Sequence, residues 1–90
     1  MRVAFSPDLD KEFKRLYKTD KKLTVKIKRQ LDLFKDDPKH PSLRNHKLAG
    51  NLKNHWSISI TRSVRMVYVQ KTKDIAYFID VGTHEEVYKK

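Results

Sequence analysis

His55-Trp56-Ser57-Ile58-Ser59-Ile60-Thr61 is where the chain changes periodicity, and its alternation decides the fold. Trp56, Ile58 and Ile60 fall on one side of an extended chain, and Ser57, Ser59 and Thr61 on the other, because successive strand side chains point to opposite faces. Such a strand buries one face. Downstream, Arg62-Ser63 is a tight connection and residues 64–70 (VRMVYVQ) make a second strand. Lys71-Thr72-Lys73-Asp74 is a turn, and residues 75–81 form a third strand. Short connections between consecutive strands imply an antiparallel meander.

Upstream of His55 the spacing is helical. Val3-Ala4-Phe5 is a short strand. Ser6 then offers an N-cap, Pro7 suits a first helical position, and Asp8 suits the positive helix end. A helix over residues 7–18 puts Leu9, Phe13, Leu16 and Tyr17 on one face. Asp20 caps a second helix to about residue 35, striped by Leu23, Ile27, Leu31 and Phe34. Asp36-Asp37-Pro38 ends it. The loop over residues 38–54 has no periodicity of its own, with Leu43, Leu48 and Leu52 as its expected anchors. The expected fold class is α+β in the order β-α-α-β-β-β, one domain over residues 1–90. An antiparallel sheet carries a helical hairpin on one face and is largely open on the other.

Ninety residues can bury a modest core without staples. The absence of cysteine excludes disulfides, thiol catalysis and Cys-based zinc sites. No run has the apolar length of a membrane span or a signal peptide, so a cytoplasmic protein with no membrane partner is expected. The net charge is +10, and it is unevenly spread. Residues 38–73 hold 8 Lys/Arg and no carboxylate, whereas residues 74–90 hold 2 Lys/Arg against 4 Asp/Glu. An acid-free stretch of that length repels phosphate nowhere along it, which points to a polyanionic partner.

Nucleotide-binding and metal-dependent enzymes lack their marks here: there is no Gly-rich phosphate loop, no HExxH and no carboxylate cluster. His40, His46 and His55 are too irregularly spaced for a metal set. Neither a cofactor nor a small-molecule ligand is expected. Metal-free RNA cleavage needs less: a base for the ribose 2′-OH, a cation for the charged phosphorane, and an acid for the leaving 5′-oxygen. His46 and His84 have the side chain suited to proton transfer near neutral pH. Arg65 interrupts an apolar strand, and a guanidinium fixed there is suited to phosphate. Tyr88, four residues after His84, Trp56 and His55 are candidates for stacking on bases. Trp56, in phase with Ile58 and Ile60, is expected in the core first. Arg44, Lys47, Lys53 and Arg62 are the cations expected along the RNA.

Three segments in order, Asn45-His46-Lys47-Leu48-Ala49-Gly50, Val64-Arg65-Met66-Val67-Tyr68, and Val81-Gly82-Thr83-His84 with Val87-Tyr88, resemble the RelE/ParE superfamily of bacterial toxins. The resemblance is strongest to the YafQ-like ribosome-dependent mRNA interferases and covers nearly the whole chain. It implies a toxin that cuts mRNA on the ribosome and is held inactive by an acidic antitoxin. It places His84 at the family's C-terminal catalytic histidine, His46 at its loop histidine, Tyr88 at a C-terminal aromatic position, and Arg65 at the phosphate-stabilising arginine. Ser59 and Ser63 stand where YafQ-like members carry a histidine and an aspartate, and the strand lysines of RelE-like members are missing. The same fold serves ParE-like inhibitors of DNA gyrase, which do not cleave, and inactive RNA-binding members are conceivable; fold alone does not separate these from an endoribonuclease.

Overall fold

The structure is a computed structural model describing residues 1–48 and 54–88. Strand β1 (Arg2–Phe5) leads through Ser6 into helix α1 (Pro7–Thr19). Ser6 Oγ accepts from the Leu9 amide at 3.1 Å, Pro7 fills the first turn, and Asp8 and Asp10 sit at its positive end. Asp20 does two jobs. Its amide closes α1 on the Leu16 carbonyl at 2.7 Å, and its carboxylate caps helix α2 (Lys21–Asp36) by accepting from the Leu23 amide at 3.1 Å. The helices therefore meet as a hairpin with one residue between them.

The chain then makes a single 3-10 turn, Pro41–Leu43, and the short strand β2 (His46–Lys47). The three long strands follow: β3 (His55–Ser59), β4 (Val64–Thr72) and β5 (Ile75–Thr83), then helix α3 (His84–Tyr88). The sheet order is β1-β5-β4-β3-β2. The expected meander of β3, β4 and β5 is antiparallel, and β2 extends it; β1 lies parallel to β5, with Arg2 beside Ile75 and Phe5 beside Phe78. The α+β layer stands as expected, and the sheet is mixed because α1 and α2 carry the chain back across one face before β3 begins.

Aromatic packing joins helix to sheet. Phe34, Tyr68 and Phe78 form a triangle with centroid separations of 5.0–5.4 Å, and Phe5 meets Phe13 edge-on at 5.3 Å. Ile27, Leu31, Leu43, Ile58 and Met66 are buried around them. Gln30 is the one buried polar side chain of α2; its amide donates to the Ser59 carbonyl at 2.8 Å and so pins α2 to the end of β3.

Three expectations need correction. Tyr17, placed on the buried face of α1, is 62% exposed, with the Lys21 ammonium 5.7 Å from its ring. The loop over residues 38–54 contains a helical turn and a strand. The second sheet face is not left open: α3 packs on β4 and β5 with Val87 buried, and Ser57 and Val67 on the same face are buried too. Leu43 anchors the loop as expected, whereas Leu52, with Gly50 and Lys53, lies outside the described residues.

Candidate active site

Register brings the site together. Across the β3–β4 ladder Ser59 faces Arg65, and across the β2–β3 ladder His46 faces Ser57. Alternation puts Ser57, Ser59 and Arg65 on the sheet face away from α1 and α2. The Arg65 guanidinium is spread over that face: Nε donates to Ser57 Oγ at 2.8 Å, Nη1 to Ser59 Oγ at 3.1 Å, and Nη2 to the Arg44 carbonyl at 3.1 Å. Three hydrogen bonds to neutral acceptors fix its plane, and among the described residues no carboxylate pairs with it. Its positive charge remains available to an anion.

Arg44 makes this possible through its backbone. It closes the 3-10 turn in the left-handed region, φ 45° and ψ 45°, which is uncommon for a residue with a side chain. The turn aims its carbonyl at Arg65 Nη2 and also at His46 Nδ1, 3.1 Å away. His46 Nδ1 lies 3.3 Å from Arg65 Nη2 as well. These contacts compete. With the proton on Nδ1 the ring donates to the Arg44 carbonyl and leaves Nε2 as an acceptor; with the proton on Nε2, Nδ1 accepts from Arg65.

The fourth wall is α3, whose start is set by a capping box. The Glu86 amide donates to Thr83 Oγ1 at 3.3 Å, and Glu86 Oε1 accepts from the Thr83 amide at 2.8 Å. Gly82 leaves room for that carboxylate: a Cβ there would lie 3.2 Å from both Glu86 Cβ and Oε1. His84 is thereby held in the first turn, and Tyr88 follows on the same face. Their rings meet edge to face with centroids 4.1 Å apart. Tyr88 Oη is 2.7 Å from Ser57 Oγ, the atom that also accepts from Arg65. One chain of contacts thus runs from His46 through Arg65, Ser57 and Tyr88 to His84.

The remaining candidates surround this chain. Arg44 and Arg62 are exposed and line a shallow depression of about 210 Å³ beside Ser59; Lys47 is exposed on β2, and His55 is half-buried on the site's face of β3. Lys53 lies outside the described residues. His40 is spent structurally, its Nδ1 accepting from the Ser42 amide at 3.2 Å to cap the 3-10 turn. Among the described residues no three His, Asp or Glu side chains converge as a metal set. Sequence reasoning missed Ser57 and Ser59 as partners of Arg65, and Thr83 with Glu86 as the clasp of α3. The spacing Thr83-x-x-Glu86 was a readable signal; the two serines read only as the polar face of a strand.

Solved structures that resemble this fold include bacterial toxins. A YoeB/ParE toxin from Agrobacterium tumefaciens is 21% identical, with a TM-score of 0.77 over 93% of this chain and 99% of that one. YafQ from E. coli strain BL21(DE3) is 20% identical, also with a TM-score of 0.77, over 98% and 99%. The E. coli DinJ–YafQ complex gives 20% identity and a TM-score of 0.76 over the same shares. No curated protein sequence matches the chain. The sequence profile of YafQ, a bacterial toxin of type II toxin-antitoxin systems, matches residues 1–89. The chain belongs to that family, within the RelE/ParE superfamily, and is a toxin of the type II class.

Proposed function

We propose that the toxin is a metal-independent endoribonuclease acting on mRNA at the ribosome. The observation that carries this is Arg65, fixed by three neutral acceptors and with no carboxylate partner among the described residues, between the His46 imidazole on one side and Tyr88 with His84 on the other. In the step this supports, the ribose 2′-oxygen bonds to the adjacent phosphorus as its proton passes to a base. The bond from phosphorus to the 5′-oxygen breaks, and that oxygen takes a proton from an acid. The products are a 2′,3′-cyclic phosphate and a 5′-hydroxyl.

His46 with its proton on Nδ1, held by the Arg44 carbonyl, has Nε2 for the base role. His84 has the acid role, set at the free end of the contact chain. Arg65 faces the phosphorane, where charge grows, so its effect is on the transition state rather than on binding alone. If Ser57 donates to Tyr88 Oη, the phenol hydrogen is free for a phosphate oxygen. Arg44, Arg62 and Lys47 supply charge along the strand.

An acidic antitoxin is the partner this reading carries. A net charge of +10 favours it, and the solved relatives include YafQ with DinJ and YoeB with YefM. The decisive experiment combines purified toxin, ribosomes and a defined mRNA with mapping of new 5′-hydroxyl ends. Cuts inside translated codons are expected, and His84→Ala should slow them about 10²–10⁴-fold. Intact mRNA together with inhibited gyrase supercoiling would reject the reading in favour of a ParE-like one.

A further inference from the structure

On the opposite side of the loop over residues 38–45 lies a cleft of about 440 Å³, within the size range of small-ligand sites. Its walls are mainly apolar, formed by Pro38, Pro41 and the indole of Trp56. Trp56 shares the core-facing side of β3 with Ile58, which is fully buried, yet Trp56 itself remains half-buried because this cleft opens beside it. The polar side chains on its lining are Lys39, His40, Arg44, Asn45, Tyr68 and Gln70. Among the described residues no carboxylate lines it. Asn45 is fixed in place, accepting from Tyr68 Oη at 3.0 Å and donating to the Pro38 carbonyl at 3.1 Å, so the cleft is built rather than collapsed.

We infer that this cleft is a nucleotide-binding subsite for single-stranded RNA, stacking one base on Trp56 and holding its phosphate at Lys39 and Arg44. An aromatic face beside cations, in a cleft with no carboxylate on its described lining, is the combination that recognises an unpaired nucleotide with little base preference. Arg44 links the subsite to the catalytic constellation: its carbonyl holds Arg65, and its side chain lines the cleft. A strand leaving Arg65 therefore meets Arg44 next. The inference rests on the RNA reading above for its biological meaning but not for its test.

Trp56 is the chain's one tryptophan, so its emission and its indole N–H resonance report on this cleft. Titrating purified toxin with nucleoside 5′-monophosphates, without ribosomes, should give a saturable shift of the Trp56 indole signal and quenched emission. All four bases should bind within about tenfold of one another. Lys39→Ala and Arg44→Ala should each weaken binding several-fold, about tenfold together, while Lys22→Ala, at an exposed position of α2 outside the cleft, leaves it unchanged. Inorganic phosphate alone should leave the indole signal in place. The inference is overturned by no saturable response at millimolar nucleotide, by an equal response to phosphate alone, or by a loss in Lys22→Ala as large as that in Lys39→Ala. A response to an acidic peptide but not to nucleotides also overturns it, assigning the cleft to protein. Nucleotide binding without mRNA cleavage would sink the proposed function and leave the subsite standing; cleavage without nucleotide binding would do the reverse.

Discussion

Ser57 illustrates how much can depend on one hydroxyl. It is fully buried, yet its oxygen meets both Arg65 Nε and Tyr88 Oη. Ser57→Ala is sterically mild but strands a guanidinium N–H and a phenol at once. A cost of about 1–3 kcal/mol in stability is expected from the unsatisfied donor. Cleavage should lose about tenfold or more in kcat with KM nearly unchanged, because Arg65 and Tyr88 lose their common partner. Thermal melting and single-turnover cleavage measure the two effects separately. Arg65→Ala should cost about 10²–10³ in rate, and Lys47→Ala less than about tenfold, as a fixed cation differs from one that only attracts the strand. Comparable small losses from both would reduce Arg65 to general electrostatics. Ser59 shows the same logic from another side: where the resemblance implies a histidine, this chain has a hydroxyl that accepts from Arg65 Nη1.

Among the elements, α3 matters most, since five residues cannot hold a helix by propensity alone. The capping box and buried Val87 do that work. Thr83→Ala should cost about 1 kcal/mol and speed amide exchange across His84–Tyr88, with cleavage falling although both rings remain. Gly82→Ala should behave like Glu86→Ala, because the added methyl meets the capping carboxylate. Unchanged exchange in both would mean that packing alone holds the helix. Most elements were legible in the sequence. Ser6-Pro7-Asp8 and Asp20 announced both helices, and the Trp56-to-Thr61 alternation announced the sheet. The two-residue β2 was not, since two residues have no period and its pairing depends on β3. Tyr17 was misplaced because helical spacing gives a stripe's direction and not the width of the surface it meets. The nearness of His46, Arg65 and His84 was legible only through the family resemblance; their contacts come from register and from a left-handed Arg44, which no local pattern discloses.

At the scale of the molecule, charge and core pull on pH and salt in different ways. Burial pushes the Tyr68 phenol above its ordinary value, partly offset by its bond to Asn45. A raised folded value favours the protonated form, so this contribution is intact below about pH 10 and is lost as pH climbs through the folded titration. The melting temperature should fall at alkaline pH, and more shallowly in Tyr68→Phe than in the parent chain. The logarithm of RNA affinity should fall linearly with the logarithm of salt concentration, and Lys47→Ala should reduce the slope by about one. A flat salt response would argue against a phosphate-tracking surface.

The parallel pairing of β1 with β5 has a bearing on synthesis. Arg2 finds its neighbour only when Ile75 has been made, and His84 and Tyr88 follow that strand. Until then the apolar faces of α1 and α2 have no complete sheet to cover, and folding dominated by such distant contacts is slow. A nascent chain stalled before residue 75 is therefore expected to lack the folded sheet. The sheet and α3 are therefore completed only after Tyr88 has been made, and protease resistance of stalled chains should appear no earlier than that.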